Sequence, residues 1–530
     1  MNFNGYNEKN GRLLERIVQN EMRLGKCATE ISGDFVLPEY LPEIRRLLRI
    51  GVIVSPPTKY ISASQVRLSG TVDYGMIYVG GDGEIYSTRL PSDYEISSAL
   101  LGEGGYGAEN IEIVADAYPE AVTGRVTGAR KLNIKCRIAS DVRAIDRMTM
   151  GGDVAAFGDG HIQRLIKNVE CCTCIFGENR ESEVVHELDI NGDERYINTD
   201  CRVFIERVNA FDGYAECEGR VVLRHLMSKS NGDTYVAVHK VDFSETVEMD
   251  GMKSGMPVSA YGRCSLIEVA EAHEGSEEGN GGLTVSARLY IAAQGFKSES
   301  FDYVKDVYST VYDCETVKSA YDVPIFCSSA NVNMTLSESK EIEALGIATA
   351  DGMTVVDSIA SARAESVVKN DNGSCVINGK CRFNVIVCKK NADADPQSNE
   401  YSVVEAEVPF KYELGGGVDL PESYSVEIEA IEPNARFDGD KLGFSCELAI
   451  CLAFMSKERI ELVSDIHCGE EHKLNKNALT VCYPEKRDSL WSIAKRYRTS
   501  VGETAKENGI DDKVDADLPE AIEGIKYIIV

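Results

Sequence analysis

The sequence predicts a mainly β protein, with three tandem β-rich modules of antiparallel, sandwich- or barrel-like type and a small C-terminal βααβ domain. Three observations carry this. The first is a strand pattern that occurs three times, anchored on Gly70, Gly219 and Gly379. Two residues on stand Val72, Val221 and Cys381; four on, Tyr74, Leu223 and Phe383; eight on, Tyr78, Met227 and Val387. Even offsets lie on one face of a strand, because side chains alternate across a sheet. Ile77, Leu226 and Ile386, seven residues on, are apolar as well. The second observation is a matching later strand in each copy, Lys131–Ile138, Gly282–Leu289 and Lys441–Leu448, each alternating between apolar and polar as a one-sided antiparallel sheet requires. The third is a change of period after Leu479, where Leu490, Ile493, Ala494 and Tyr497 are spaced as one face of a helix.

Taken in order, the chain opens with residues 12–24, RLLERIVQNEMRL, which put Leu13, Leu14, Ile17 and Val18 on one helical face. An amphipathic helix within residues 1–30 is expected, either docked on the first module or free as a partner-binding arm. Pro38 and Pro42 then hold the chain extended, and Pro42 can open a short helix with Ile44, Leu47 and Leu48 facing inward. Module boundaries fall near 31–160, 161–305 and 306–470. In each, a second strand follows the first: Leu90–Ile96, Val241–Val247 and Val408–Leu414. The segments between them, Gly80–Gly83, Asn231–Asp233 and the longer Asn391–Gln397, carry hairpin chemistry. His273–Gly282 has the composition of a linker but precedes a matched strand, so it reads as an exposed loop. In the tail, 479–530, a strand at Leu479–Tyr483 leads into the first helix. Ser500 and Glu503 form a capping box for a second helix that ends at Asn508-Gly509, and Ile525–Val530 is a closing strand.

Composition narrows the function. A chain of 530 residues is too long for one core. Its formal charge of −30 argues against a surface that neutralises nucleic-acid phosphates. No apolar run approaches the roughly 18 residues needed to span a bilayer, and the first residues lack the apolar stretch of a secretory signal. The 17 cysteines are scattered over apolar strand positions such as Cys136, Cys381 and Cys446, which suits reduced, buried thiols in a cytosolic protein.

The tail residues Asp488, Ser489, Leu490, Trp491, Ile493, Ala494 and Tyr497, followed by Asn508, closely resemble the LysM domain motif. Arg487 stands where that family has glycine. The body resembles the SPOCS domain of sporulation proteins through Leu37-Pro38, Pro42-Glu43-Ile44 and the Gly70 hairpin. Three such modules with one terminal LysM-like unit resemble the clostridial spore-coat morphogenetic proteins. That resemblance implies a mother-cell protein at the forespore surface. It would bind the coat-basement ATPase, stage IV sporulation protein A, and other coat proteins. LysM domains bind N-acetylglucosamine polymers such as peptidoglycan in a groove between two loops. Here those loops map to Asp488, Ser489 and Leu490, beside Trp491, and to Asn508, Gly509 and Ile510. The long cation at Arg487 and an expected cytosolic location favour a protein partner there. Lys486, Arg487, Lys495, Arg496 and Arg498 crowd the first helix. They form either a solvated face or a patch that steers an acidic partner. Trp491, the only tryptophan, is either part of the small domain's core or an interface anchor.

Signs of catalysis are weak. Gly102–Gly107 fits a dinucleotide-binding spacing, but strand-like alternation follows it where a helix would receive the phosphate. Asp189-Ile190-Asn191-Gly192-Asp193 resembles a calcium loop, with Asp200 where glutamate is needed; it reads as a turn. Cys171, Cys172 and Cys174, and His467 and Cys468 with His472, lack paired metal-ligand spacing. A non-enzymatic protein without cofactor or metal is expected.

Overall fold

The computed structural model describes residues 16–62, 65–99, 111–150, 161–271, 281–370, 374–390, 399–414, 423–471, 479–511 and 515–530. They form a mainly β protein with two α-helices among the described residues. The glycine run at 102–107, the connection 391–397, most of the loop 273–282, and His472 lie outside these residues.

The first seven strands are β1 (Arg16–Val36), β2 (Ile44–Val54), β3 (Thr58–Ile61), β4 (Gln65–Gly80), β5 (Ile85–Ala99), β6 (Ile111–Gly128) and β7 (Lys131–Met150). They make two antiparallel sheets. In one, β2 and β3 flank one edge of β4 and β5 flanks the other; in the second the order is β1-β7-β6. The facing sides share one core, with Val72, Tyr74 and Tyr78 from β4 against Ile113, Ile134 and Ile138 from the second sheet.

The next strands are β8 (Ile162–Asn179), β9 (Glu183–Ile190), β10 (Glu194–Phe211), β11 (Tyr214–Lys229), β12 (Thr234–Glu248), β13 (Val258–Glu271) and β14 (Gly281–Ser309). Sheet β10-β11-β12 shares a core with sheet β13-β14-β8, in which β9 also pairs with β14. Last come β15 (Tyr312–Glu341), β16 (Met353–Lys369), β17 (Cys375–Lys389), β18 (Glu400–Leu414), β19 (Ser423–Asp438) and β20 (Lys441–Glu471). Sheets β16-β17-β18 and β15-β20-β19 again share one core.

The anchoring glycines have a common cause. Gly70, Gly219 and Gly379 lie opposite Tyr94, Phe243 and Phe410 on the neighbouring strand. A Cβ on Gly219 would stand 2.0 Å from the Phe204 carbonyl oxygen, and one on Gly379 would stand 2.4 Å from that of Arg363. A Cβ on Gly70 would meet Ser55 and Tyr94 at 2.8 Å. No side chain fits in that space: the Ser55 and Tyr94 side chains fill it at Gly70, the Phe204 backbone at Gly219, and the Arg363 carbonyl with the Phe410 ring at Gly379.

A second shared feature is a β-bulge. The register slips between Leu47 and Arg49, between Tyr196 and Asn198, and between Val355 and Asp357. The extra residues, Leu48, Ile197 and Val356, all enter one apolar cluster with Ile77, Leu226 and Ile386. A bulge re-aims a side chain to the other face. Three sheets therefore meet through these residues, and the apolar residue seven positions after each glycine is the contact face. Beside this cluster the buried Asp357 carboxylate accepts from Arg49 and, at 3.4 Å, from Arg224. Both guanidiniums hold its pKa below the ordinary range against the opposing effect of burial.

Two expectations fail at the N-terminal end. Within the expected helix at 12–24, the described residues are strand, since β1 starts at Arg16 and crosses the 30/31 boundary to pair with β7 as far as Val36. Gly25 has φ +92°, and the register slips between Arg23 and Gly25, a local shape that a helix cannot take. The partner edge of β7 thus overrides the helical spacing. The short helix at Pro42 is also absent: residues 44–54 are β2, and the helix-like spacing of Ile44, Leu47 and Leu48 arises from the bulge.

Three ribbons continue past the cores, formed by the ends of β1 and β7, of β8 and β14, and of β15 and β20. They meet in a cluster of Val18, Met150, Val169, Cys171, Phe301, Val323, Ile460 and Leu462. The Gln19 side chain joins two of them, donating to the Cys174 carbonyl at 2.9 Å and accepting from its amide at 2.7 Å. Cys171, Cys172 and Cys174 are buried strand residues of this region, and Cys468 faces Cys314 across a ribbon with its sulfur at 3.1 Å. Of the Asp189–Asp193 segment, Asp189 and Ile190 end β9, and Asn191, Gly192 and Asp193 make the turn to β10, closed by Glu194 N–H donating to the Asn191 carbonyl at 2.9 Å.

Candidate functional site

The C-terminal unit has β21 (Val481–Cys482), α1 (Leu490–Tyr497), α2 (Val501–Glu507), a 3-10 turn at Pro519–Ile522 and β22 (Ile528–Ile529). The terminal strands are shorter than the sequence suggests. Both helices start where expected. Ser489 caps α1 by accepting from Ser492 N–H at 3.1 Å, and Ser492 Oγ accepts from Ser489 N–H at 2.9 Å. Ser500 caps α2 and accepts from Glu503 N–H at 3.5 Å. Asn508 ends α2, and Gly509 follows with φ +65°. Leu490, Ile493, Ala505, Ile522 and Ile528 form the unit's own core with Cys482.

Trp491 belongs to a different cluster. It is 5% exposed and packs between Leu165 of β8 and Tyr308 of β14 on one side and Ala494, Val501 and Ala516 of its own unit on the other. The Tyr308 ring meets the indole edge-on at 4.9 Å between centroids. Trp491 Nε1 donates to Asp306 Oδ2 at 2.9 Å, and Lys495 donates to the same oxygen at 2.6 Å. Burial alone would raise the Asp306 carboxyl, but the hydrogen bonds from Lys495 and Trp491 bring it below the ordinary value. Tyr308 OH donates to the Thr499 carbonyl at 2.7 Å. Lys167 pairs with Asp515 at 2.5 Å, Lys305 pairs with Asp517 at 2.6 Å, and Arg498 pairs with Asp313. Lys305 is the extra residue where the register slips between Val304 and Asp306, so a bulge aims this part of β14 at the small unit. The unit is docked on the ribbon ends through an aromatic anchor ringed by ion pairs.

This arrangement uses most of the residues expected to form a groove. Asp488, Ser489, Leu490 and Trp491 are all buried. Asp488 accepts from Arg496 at 2.5 Å and from Glu485 N–H at 3.0 Å. The Asn508 side chain donates to the carbonyls of Thr504 and Ile529 at 2.8 Å and accepts from Ile529 N–H at 2.7 Å, which ties α2 to β22. Gly509 is exposed, and Ile510 is half-buried against the core. The five cations do not form one open patch. Lys495, Arg496 and Arg498 are paired within the chain, while Lys486 and Arg487 are exposed without an ion pair among the described residues. The exposed apolar residues of the unit include Leu479, Val481, Tyr483 and Tyr527, at or beside the two terminal strands. Asp306, Tyr308, Lys167 and Lys305 carry no sequence signal for docking, because they continue the strand alternation of β8 and β14.

Residues 485–514 match the LysM domain family, so this small docked unit carries a LysM domain. A LysM domain points to binding of peptidoglycan or another N-acetylglucosamine polymer. The comparison with curated proteins returned no match. No helix among the described residues is long and apolar enough to cross a membrane.

Proposed function

We propose that the protein is a non-enzymatic assembly adaptor in which each pair of sheets is one SPOCS-like repeat and the LysM unit is a docked head. In this reading it acts in the mother cell, at the forespore surface, where it binds the coat-basement ATPase, stage IV sporulation protein A, and helps coat proteins localise. The observation that carries the reading is the docking itself. Trp491 and the Asp488–Leu490 loop are turned to structural use, which leaves the strand face with Leu479, Tyr483 and Tyr527, and the neighbouring Lys486 and Arg487, as surface for a partner. Aromatic residues in an exposed patch suit a protein interface. Repeated sheet pairs supply further surfaces, so that avidity exceeds any one contact.

The second reading is a peptidoglycan- or cortex-binding protein, and the LysM match itself favours it. Capture experiments with the full chain separate the two. The immobilised ATPase should retain the wild type and lose Tyr483→Ala/Tyr527→Ala, while chitin and peptidoglycan retain neither. Retention on glycan, unaffected by those substitutions and without capture by the ATPase, would establish the second reading and remove the first.

A further inference from the structure

Three of the protein's seven histidines, distant in sequence, come together in the middle pair of sheets. His225 lies on β11, His239 on β12, and His186 on β9 of the facing sheet. One ring nitrogen from each lies within 4.8 Å of the other two. The ring centroids of His186 and His239 are 4.3 Å apart, and those of His225 and His239 are 5.4 Å apart.

The repeat makes this cluster unusual. His225 stands six residues after Gly219, at an inward position where the other copies have Met76 and Val385, both fully buried. His239 pairs with Leu223, and the matching positions hold the buried Leu90 and Ala406. Two core positions that are apolar elsewhere are thus imidazoles here. The Nε2 atoms of His186 and His225 are buried and have no hydrogen-bond partner. A buried polar atom without a partner costs free energy unless something completes it. The other nitrogen of His225 is already held: Nδ1 is 2.8 Å from Thr199 Oγ1, which accepts from Tyr196 OH at 3.0 Å. Such a bond to the far nitrogen is the usual support for a metal-ligating imidazole.

We propose that His186, His225 and His239 form a site for a divalent transition-metal ion of the zinc type, pinning the two facing sheets of the middle repeat together. Three neutral imidazoles and one open position suit Zn²⁺, with water as the fourth ligand. Zinc–nitrogen bonds of about 2.0–2.1 Å put tetrahedral ligand atoms roughly 3.3 Å apart, so metal draws the three rings inward. His186 comes from one sheet and the other two from its partner, so the bond set crosses the core.

The test uses the full chain, stripped with a chelator under reducing conditions and then given Zn²⁺ or Co²⁺ alone. The wild type should bind one tight equivalent by elemental analysis. Its cobalt form should show the visible bands of a tetrahedral nitrogen and oxygen site, without the intense near-ultraviolet band of a cysteine ligand. Zinc in about hundred-fold excess over its dissociation constant should raise the melting of this region by roughly 5–10 °C. The His225→Met/His239→Leu variant, which installs the residues of the first repeat, should fold, lose that equivalent and melt the same with or without zinc. His186→Asn, a change at a half-buried position, gives a second variant with the same expected loss. Zinc uptake equal in wild type and variants, a cysteine signature in the cobalt spectrum, or no tight equivalent in the wild type would overturn the site.

Discussion

The paired sheets of the body and the LysM unit bury their apolar surface in different ways. The body has wide sheets whose two faces are both used: even offsets from Gly70, Gly219 and Gly379 fill the cores, and the seventh residue fills the junction between sheets. The LysM unit has a small core of its own and places its large aromatic residue outside it, against a ribbon of the body. A unit of this size is marginal by itself. The contrast teaches that an amphipathic helix reports how much apolar surface must be covered, and leaves open whether its own domain or a neighbour covers it.

The largest effect should come from the junction of the body. Asp357→Ala would leave Arg49 and Arg224 buried without their carboxylate, at a cost of about 3–5 kcal/mol. Denaturant unfolding should show that loss, and an unchanged midpoint would mean the junction contributes little. Next comes the repeat glycine. Gly219→Ala brings a Cβ against the Phe204 carbonyl and should destabilise by roughly 2–4 kcal/mol. Gly75→Ala, where the added carbon meets nothing within 4 Å, should stay within about 0.5 kcal/mol. Similar effects at the two positions would remove the steric account of the anchor.

Smaller effects belong to docking. Tyr308→Ala removes the edge contact to Trp491 and the bond to Thr499, and should weaken docking by about 2 kcal/mol. Hydrogen exchange of α1 should speed up while the body keeps its protection. The smallest effect is that of pH. The Asp306 carboxyl is lowered below 3.8 by Lys495 and Trp491 despite its burial, so the undocked state binds a proton more readily. Docking is therefore complete above that value and is lost as pH falls below it. Lys305, raised above 10.5 by its bond to Asp517, holds its contribution until pH exceeds that value. A constant docking signal between pH 5 and 9 that falls in acid is expected, and Asp306→Asn should flatten the acid limb.

Much of the fold is legible because one strand pattern occurs three times in the sequence. The glycine-anchored strands, their partners and the later alternating strands appear at the expected residues, as do both helices of the tail. β1 was obscured because Leu13, Leu14, Ile17 and Val18 satisfy a helical period, while the edge that claims the chain lies more than a hundred residues away in β7. At Leu47 and Leu48 a bulge imitates the helical spacing. The site was less legible for a related reason. The groove residues Asp488 to Leu490 follow the family motif, but whether Trp491 faces a ligand, its own core or the body depends on Asp306 and Tyr308, which look like any alternating strand. The three histidines stand 39 and 14 residues apart, a spacing that means nothing until the sheets bring them together.

Trp491 anchors the LysM unit to the ribbon. As the only tryptophan, it reports on itself, and its fluorescence and its quenching by iodide can be read in the full chain. The wild type should emit in the blue and resist quenching. Asp306→Ala/Tyr308→Ala should shift the emission to the red and open it to iodide, with the circular dichroism unchanged. Emission that stays blue and protected in that variant would place Trp491 in the LysM unit's own core and contradict the docked arrangement.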